Sequence, residues 1–105
     1  MTDKVLSMLS LAAKAGKITS GEFSVEKVVK SNEALLVIVA TDSSDRSKKD
    51  YTSMCDFYET DLIVYGTKET LGRAIGKEYR ASVAVLDENF ASSIRKKYED
   101  LQAFE

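Results

Sequence analysis

The hydrophobic positions of this chain alternate between helical spacing and short continuous runs. In residues 3–15 the apolar side chains fall on one side of a helix, and Gly16 stands where that helix would end. Segments with helical spacing predict helices over 3–15, 21–31, from a turn at 42–45 to about 58, 67–76, and 89 to about 101. Continuous apolar runs predict buried strands at 35–42, 62–66 and 82–86, and 17–19 predicts a further short strand.

Helices and strands follow one another along the whole sequence. This order predicts an α/β fold, a three-layer αβα sandwich with helices on both faces of one mostly parallel or mixed sheet of about four strands. The chain has 105 residues, which is one domain's worth, so we expect a single domain over 1–105. The apolar continuity of 35–40, 62–65 and 83–86 predicts that these residues are almost wholly buried.

The composition argues against catalysis and against a metal site. The chain has one cysteine and no histidine, so an internal disulfide is excluded and a zinc site is disfavoured. Asp42 and Asp87 each follow a predicted strand, where α/β folds can place functional carboxylates, but the cap preferences of aspartate favour a turn or helix-cap role for both. Cys55 lies in a helical apolar stripe, which favours a core residue over a nucleophile. We therefore expect no enzyme, no cofactor and no metal.

The chain is mildly acidic, and its charges are unevenly distributed. The net charge is −2, while residues 42–66 and 99–105 together hold nine acids and only three bases. The remaining chain carries twelve bases and eight acids, which leaves room for a local basic face. No apolar run approaches 18 residues and no basic-then-apolar leader is present, so we expect a cytoplasmic protein without membrane association.

The start of the second predicted helix shows a pattern typical of nucleic-acid contact. Val25, Val28 and Val29 define its buried face. Phe23 and Lys27 then project outward, beside N–H groups that favour phosphate or a base acceptor. A stacking surface, cations and backbone donors are the elements of an RNA contact.

The same stretch allows a structural interpretation. Thr19 and Glu22 have the spacing of a capping box, which would satisfy those N–H groups internally. Lys30 lies four residues after Glu26, so it can form an ordinary surface ion pair.

A second segment, residues 67–81, points in the same direction. Gly72 interrupts a good helical pattern at a cost of about 1 kcal/mol relative to alanine, which predicts close helix packing. After Gly76 comes the loop 77–81, where bases again flank an aromatic residue, Tyr79. The alternative is a polar connection in which Tyr79 covers the edge of the sheet.

Four stretches carry a family resemblance over almost the whole chain: "LAAKAGKITSGE", "LLVIVATDSS", "GTKETLGRAIGK" and "VAVLDENFA". They resemble the bacterial YlxQ group of the kink-turn-binding ribosomal protein family (L-seven-Ae and L-thirty-e). The resemblance implies an αβα sandwich with a four-stranded mixed sheet. It also implies RNA binding by the start of the second helix and the loop before the last strand.

The resemblance carries over to particular positions of this chain. The family motif Gly-x-Asn-Glu-x-x-Lys places its glycine on Gly21 and its lysine on Lys27, whereas Phe23 and Ser24 replace the Asn and Glu that read guanine edges. This replacement implies altered kink-turn specificity. The predicted RNA-binding residues are Lys17, Ser20, Gly21, Phe23, Ser24, Lys27, Arg73, Lys77, Tyr79 and Arg80.

These observations predict a monomeric RNA-binding protein of the translation apparatus that recognises ribosomal or other structured RNA, with ribosomal proteins as further partners. The alternative is a protein-interaction module of the same fold that docks a partner through the face carrying Phe23.

Overall fold

The computed structural model describes residues 3–103. Within that range the chain forms five helices and four strands. In chain order they are α1 (Lys4–Lys14), β1 (Ile18–Ser20), α2 (Glu22–Lys30), β2 (Leu36–Val39), α3 (Asp45–Phe57), β3 (Asp61–Val64), α4 (Lys68–Ala74), β4 (Ser82–Val85) and α5 (Glu88–Gln102). Each predicted helix and strand is present, with boundaries that differ by a few residues.

The four strands form one mixed sheet in the order β1-β4-β2-β3. β4 is antiparallel to both β1 and β2, and β2 is parallel to β3. The predicted αβα sandwich with a four-stranded mixed sheet is therefore confirmed.

Hydrophobic side chains fill both faces of the sheet because alternate residues of the central strand point in opposite directions. Leu36 and Ile38 pack in one cluster with α1, α4 and α5. Val37 and Val39 pack in the other with α2 and α3. This arrangement gives the three layers, with three helices on one face and two on the other.

Side-chain caps begin most of the helices. Ser44 and Thr67 cap α3 and α4, each by accepting a hydrogen bond from the N–H three residues on. Asp87 caps α5, and Asp42 accepts the backbone N–H of Lys68 at 2.9 Å. Asp87 thus has the capping role that the sequence allowed, whereas Asp42 binds an N–H at the start of α4, a helix whose N-cap is Thr67.

The prediction that residues 62–65 are almost wholly buried is wrong. β3 is only partly buried, and Asp61 at its start is exposed. The reason is its place at the edge of the sheet, where it has a strand neighbour on one side only. Leu35 and Leu86, at the ends of the two central runs, are also only partly buried.

The inward face of α5 ends before the last turn of the helix. Ile94 is fully buried, but Leu101 is 41% exposed because the helix continues past the residues that pack on the sheet. Tyr98 packs on the core in its place. Cys55 is a core residue as predicted, and burial raises the pKa of its thiol to about 11.

Across residues 3–103, none of the helices combines the length and the apolar character that crossing a bilayer requires. The same residues contain no cluster of three or more His, Cys, Asp or Glu side chains arranged to hold a metal ion.

Candidate nucleic-acid interface

One end of the sheet brings the two predicted RNA-binding segments together. β1 ends where β4 begins, since Ser20 is paired with Val83 in the antiparallel register. The next residue, Gly21, donates its backbone N–H to the carbonyl oxygen of Ser82 at 3.2 Å. We call this end of the strands the Gly21 end of the sheet. The start of α2 and the α4–β4 loop, residues 75–81, meet there.

The first turn of α2 has no side-chain cap. Gly21 occupies the N-cap position and forms no side-chain hydrogen bond with the helix, so the capping box that Thr19 and Glu22 could have formed is absent. The N–H groups at this helix start therefore lack a side-chain acceptor among the described residues. These donors and the positive end of the helix dipole together favour an anionic or carbonyl ligand.

The backbone conformation at this helix start requires glycine. Gly21 has φ 93° and ψ 153°, a region that residues with a Cβ rarely adopt. A Cβ added there would meet no protein atom within 4 Å. The positive φ at this turn therefore explains the glycine, and the space beside it is open to a ligand.

Phe23 lies exposed on the outer face of α2, as predicted. Its side chain is 73% exposed, and it lines a shallow groove with Lys27. We call this the Phe23 groove; its lining residues are Glu22, Phe23, Glu26, Lys27 and Lys30.

Acidic residues offset part of the positive charge in the Phe23 groove. Lys30 forms an ion pair with Glu26 at 2.9 Å, and this hydrogen bond and charge raise the pKa of Lys30. Glu22 lies one helical turn before Glu26. The two glutamates are not among the predicted site residues, although the four-residue steps from Glu22 to Glu26 and Lys30 already place all three on one helix face.

Arg80 joins the α4–β4 loop to the end of β1. Its Nε donates to the hydroxyl oxygen of Ser20 at 3.1 Å, and a terminal nitrogen donates to the Tyr79 carbonyl at 2.7 Å. Tyr79 itself is 63% exposed. The structure therefore places Ser20, Gly21, Tyr79 and Arg80 in one neighbourhood, with an exposed aromatic ring on the loop as well as on α2.

The loop lies close to α4 because Gly72 has no side chain. The interrupted helical pattern predicted that this glycine allows close helix packing. Its nearest neighbours are instead backbone atoms of Glu78 and Tyr79 in the α4–β4 loop. The expectation of close packing holds, but its partner is the loop and not another helix.

Two of the other predicted residues, Lys17 and Arg73, lie away from the Gly21 end. Lys17 precedes β1, and its backbone carbonyl oxygen accepts the N–H of Leu86 at 2.8 Å, so it lies at the opposite end of the strand from Gly21. Arg73 lines a groove between α1 and α4 and is ion-paired with Glu69 at 2.8 Å. Lys77 and Ser24 are exposed, one in the loop and one in the first turn of α2.

The architecture defines a class: an αβα sandwich whose mixed sheet presents an uncapped helix start beside a basic and aromatic loop. The family model of the ribosomal protein L7Ae/L30e/S12e/Gadd45 family matches residues 3–95, and the chain belongs to this family. The resemblance read from the sequence is thereby confirmed.

Relatives and solved structures agree with this assignment. The chain is 38% identical to the RNA-binding protein YlxQ of Bacillus subtilis (strain 168), over 83% of this chain and 87% of that protein. It is 28% identical to the large ribosomal subunit protein eL8 of Thermoplasma volcanium, over 83% of this chain and 73% of that protein. A solved structure of a protein with unknown function from Bacillus halodurans superimposes with a TM-score of 0.90 at 35% identity, covering 93% of this chain and 99% of that one.

Proposed function

We propose that this chain is a cytoplasmic, non-enzymatic protein of the translation apparatus that binds structured RNA as a monomer. The observation that carries the proposal is the uncapped start of α2 at Gly21, next to the Arg80–Ser20 hydrogen bond. The family, which includes ribosomal proteins, and the Bacillus subtilis relative, an RNA-binding protein, support it. Ribosomal proteins are the further partners that we propose.

Each residue at the Gly21 end has a role that fits its chemistry. Lys27, Lys77 and Arg80 would neutralise phosphates, and the glycine would let the RNA approach the backbone of the helix start. Phe23 or Tyr79, both largely exposed, would stack on an unpaired base.

We further propose that the RNA is kink-turn-like and that the specificity is altered. Phe23 and Ser24 occupy the positions where the family motif has Asn and Glu. A phenyl ring cannot hydrogen-bond a guanine edge, and serine offers one short hydroxyl. Stacking would then replace part of the base reading.

The test is a titration of structured RNA with two single variants at two salt concentrations. Lys27→Ala should weaken binding to all sequences alike and reduce the salt slope by roughly one, because a phosphate contact releases a counterion without reading bases. Phe23→Ala should cost about 1–3 kcal/mol with little change in slope, because stacking carries no charge.

Two matched controls come from the same chain. Lys96→Ala removes an exposed lysine from α5, on the other face of the sheet. Phe57→Ala removes a ring that is 79% exposed at the far end of α3. Equal effects of the control and site variants would refute the proposed site, and absence of binding to any RNA by the parent would refute the function.

A second candidate function is protein docking through the Phe23 groove. The observation that favours it is the mixed charge of this groove, where the Glu26–Lys30 ion pair leaves an exposed aromatic ring without strong positive charge around it. If Phe23→Ala abolishes association with ribosomal proteins but leaves RNA affinity unchanged, this function is the correct one.

A further inference from the structure

The α4–β4 loop lies so close to the backbone of Gly72 that a residue with a Cβ atom would not fit at this position. A Cβ at this position would lie 2.4 Å from the carbonyl oxygen of Glu78, 2.6 Å from its carbonyl carbon and 2.9 Å from the Tyr79 nitrogen. All three atoms belong to the backbone, so no side-chain rotation could relieve the overlap. The loop occupies the space that a side chain on α4 would fill.

Hydrogen bonds hold the loop in that position on both sides of the contact. The N–H of Lys77 donates to the Gly72 carbonyl at 2.7 Å, and the N–H of Arg80 donates to the Lys68 carbonyl at 3.0 Å. The Arg80 side chain then reaches Ser20 at 3.1 Å. Helix α4, the loop and the residue before Gly21 thus form one continuous series of contacts.

We propose that Gly72 is a positioning residue for RNA binding: its missing side chain sets the distance between α4 and the loop, and so places Tyr79 and Arg80 beside the start of α2. The inference rests on the proposed function and extends it to a residue that is buried and would not contact the RNA.

We expect Gly72→Ala to impair RNA binding even though alanine has the higher helix propensity. Alanine is a better helix former than glycine, so α4 by itself would gain stability. The loop, however, must move by about 1 Å to bring the Glu78 oxygen from 2.4 Å to an ordinary contact of 3.4 Å. This movement would carry Arg80 away from Ser20 and change the reach of Tyr79.

The first test is an RNA titration within a double-mutant cycle. Gly72→Ala should lower affinity at least about fivefold, the lower bound for losing one well-placed side-chain contact. In a background of Tyr79→Ala with Arg80→Ala the same substitution should lower affinity less than about twofold, because the side chains through which it acts are gone. Equal losses in both backgrounds would overturn the positioning role.

A nuclear magnetic resonance measurement tests the positioning without RNA. In Gly72→Ala the Arg80 Nε–H should lose its protection from solvent exchange, and the amide signals of Ser20 and Gly21 should shift. Ile94→Val, a conservative core change on α5, serves as the stability control and should leave these signals and the affinity unchanged. Unchanged Arg80 and Ser20 signals in Gly72→Ala would overturn the inference.

The outcomes separate this inference from the proposed function. A parent that binds RNA, with a Gly72→Ala variant that binds equally well, overturns the inference alone. A parent that binds no RNA overturns both. If Gly72→Ala does not fold, a glycine inserted between Lys77 and Glu78 releases the loop without changing α4. That insertion should cause the same loss of affinity, and unchanged affinity would overturn the inference.

Discussion

At the scale of single residues, Tyr65 shows how one side chain links distant parts of the chain. Its hydroxyl donates to Asp3 at 2.6 Å, and its ring packs edge-on against Tyr98 with the centroids 6.0 Å apart. Burial, followed by the hydrogen bond to the Asp3 carboxylate, raises the pKa of Tyr65 to about 12. The neutral phenol is therefore the form that the folded state favours.

Tyr65→Phe should lower the free energy of unfolding at pH 7 by about 0.5–1.5 kcal/mol, the net value of one hydrogen bond. In the parent this contribution is complete below pH 10, where the unfolded tyrosine is also neutral, and is lost as the pH rises from 10 towards 12. Urea unfolding at several pH values should show parent and variant converging over that range. Tyr79→Phe, at an exposed ring, is the control, and a parent–variant difference that persists at pH 12 would contradict the assignment.

The specificity that we propose depends, at the same scale, on the pair Phe23 and Ser24. Phe23→Asn combined with Ser24→Glu restores the side chains of the family motif at the first turn of α2. This double variant should bind a kink-turn RNA more tightly than a plain duplex of equal length, because its amide and carboxylate can read base edges. Parallel titrations of parent and variant against both RNAs measure the change. A parent that is already strongly kink-turn-selective would show that the replacement does not alter specificity.

At the scale of elements, the start of α2 differs from the starts of the other helices. The N-cap of α5 is Asp87, whose carboxylate accepts the Phe90 N–H at 3.1 Å, whereas the N-cap of α2 is Gly21, and no side chain of residues 3–103 caps that helix. Capping stabilises a helix and also occupies the donors that a ligand would use. The uncapped helix is the one that lies beside the basic loop.

Asp87→Ala should destabilise the protein by about 0.5–2 kcal/mol, and Asp87→Asn by much less, because asparagine caps a helix nearly as well as aspartate. Neither change should alter RNA affinity, since Asp87 follows β4 at the opposite end of the sheet from Gly21. Thermal unfolding and an RNA titration measure the two effects. A loss of affinity in Asp87→Asn would indicate that the carboxylate has a functional role beyond capping.

At the scale of the whole molecule, the charge distribution limits how RNA can be bound. The chain carries 17 acids and 15 bases, so it cannot bind RNA through general attraction alone. The cations that we propose for the contact at the Gly21 end are Lys27, Lys77 and Arg80.

Three phosphate contacts should give a plot of log affinity against log salt with a slope of about −2 to −3. Titrations at four or more salt concentrations measure this slope, and Lys96→Ala should leave it unchanged. A slope near zero would argue for a contact without phosphates. A slope steeper than about −5 would require basic residues outside the Gly21 end.

The sequence alone was sufficient for much of this structure. Helical spacing located the five helices of residues 3–103, and the run at 35–42 identified a fully buried strand, because burial on both faces of a sheet requires apolar side chains at successive positions. The outward position of Phe23 followed from the valines of α2 by helical geometry alone.

Tertiary structure decided the features that depend on residues distant in sequence. The half-exposure of β3 follows from strand order, and periodicity within one segment contains no information about which strand lies at the edge. The Arg80–Ser20 hydrogen bond spans 60 residues, and the partner of Gly72 is a loop whose path the pattern does not specify. Local spacing determines which face of an element is apolar, whereas chain folding determines which elements meet, and the candidate site lies where two of them meet.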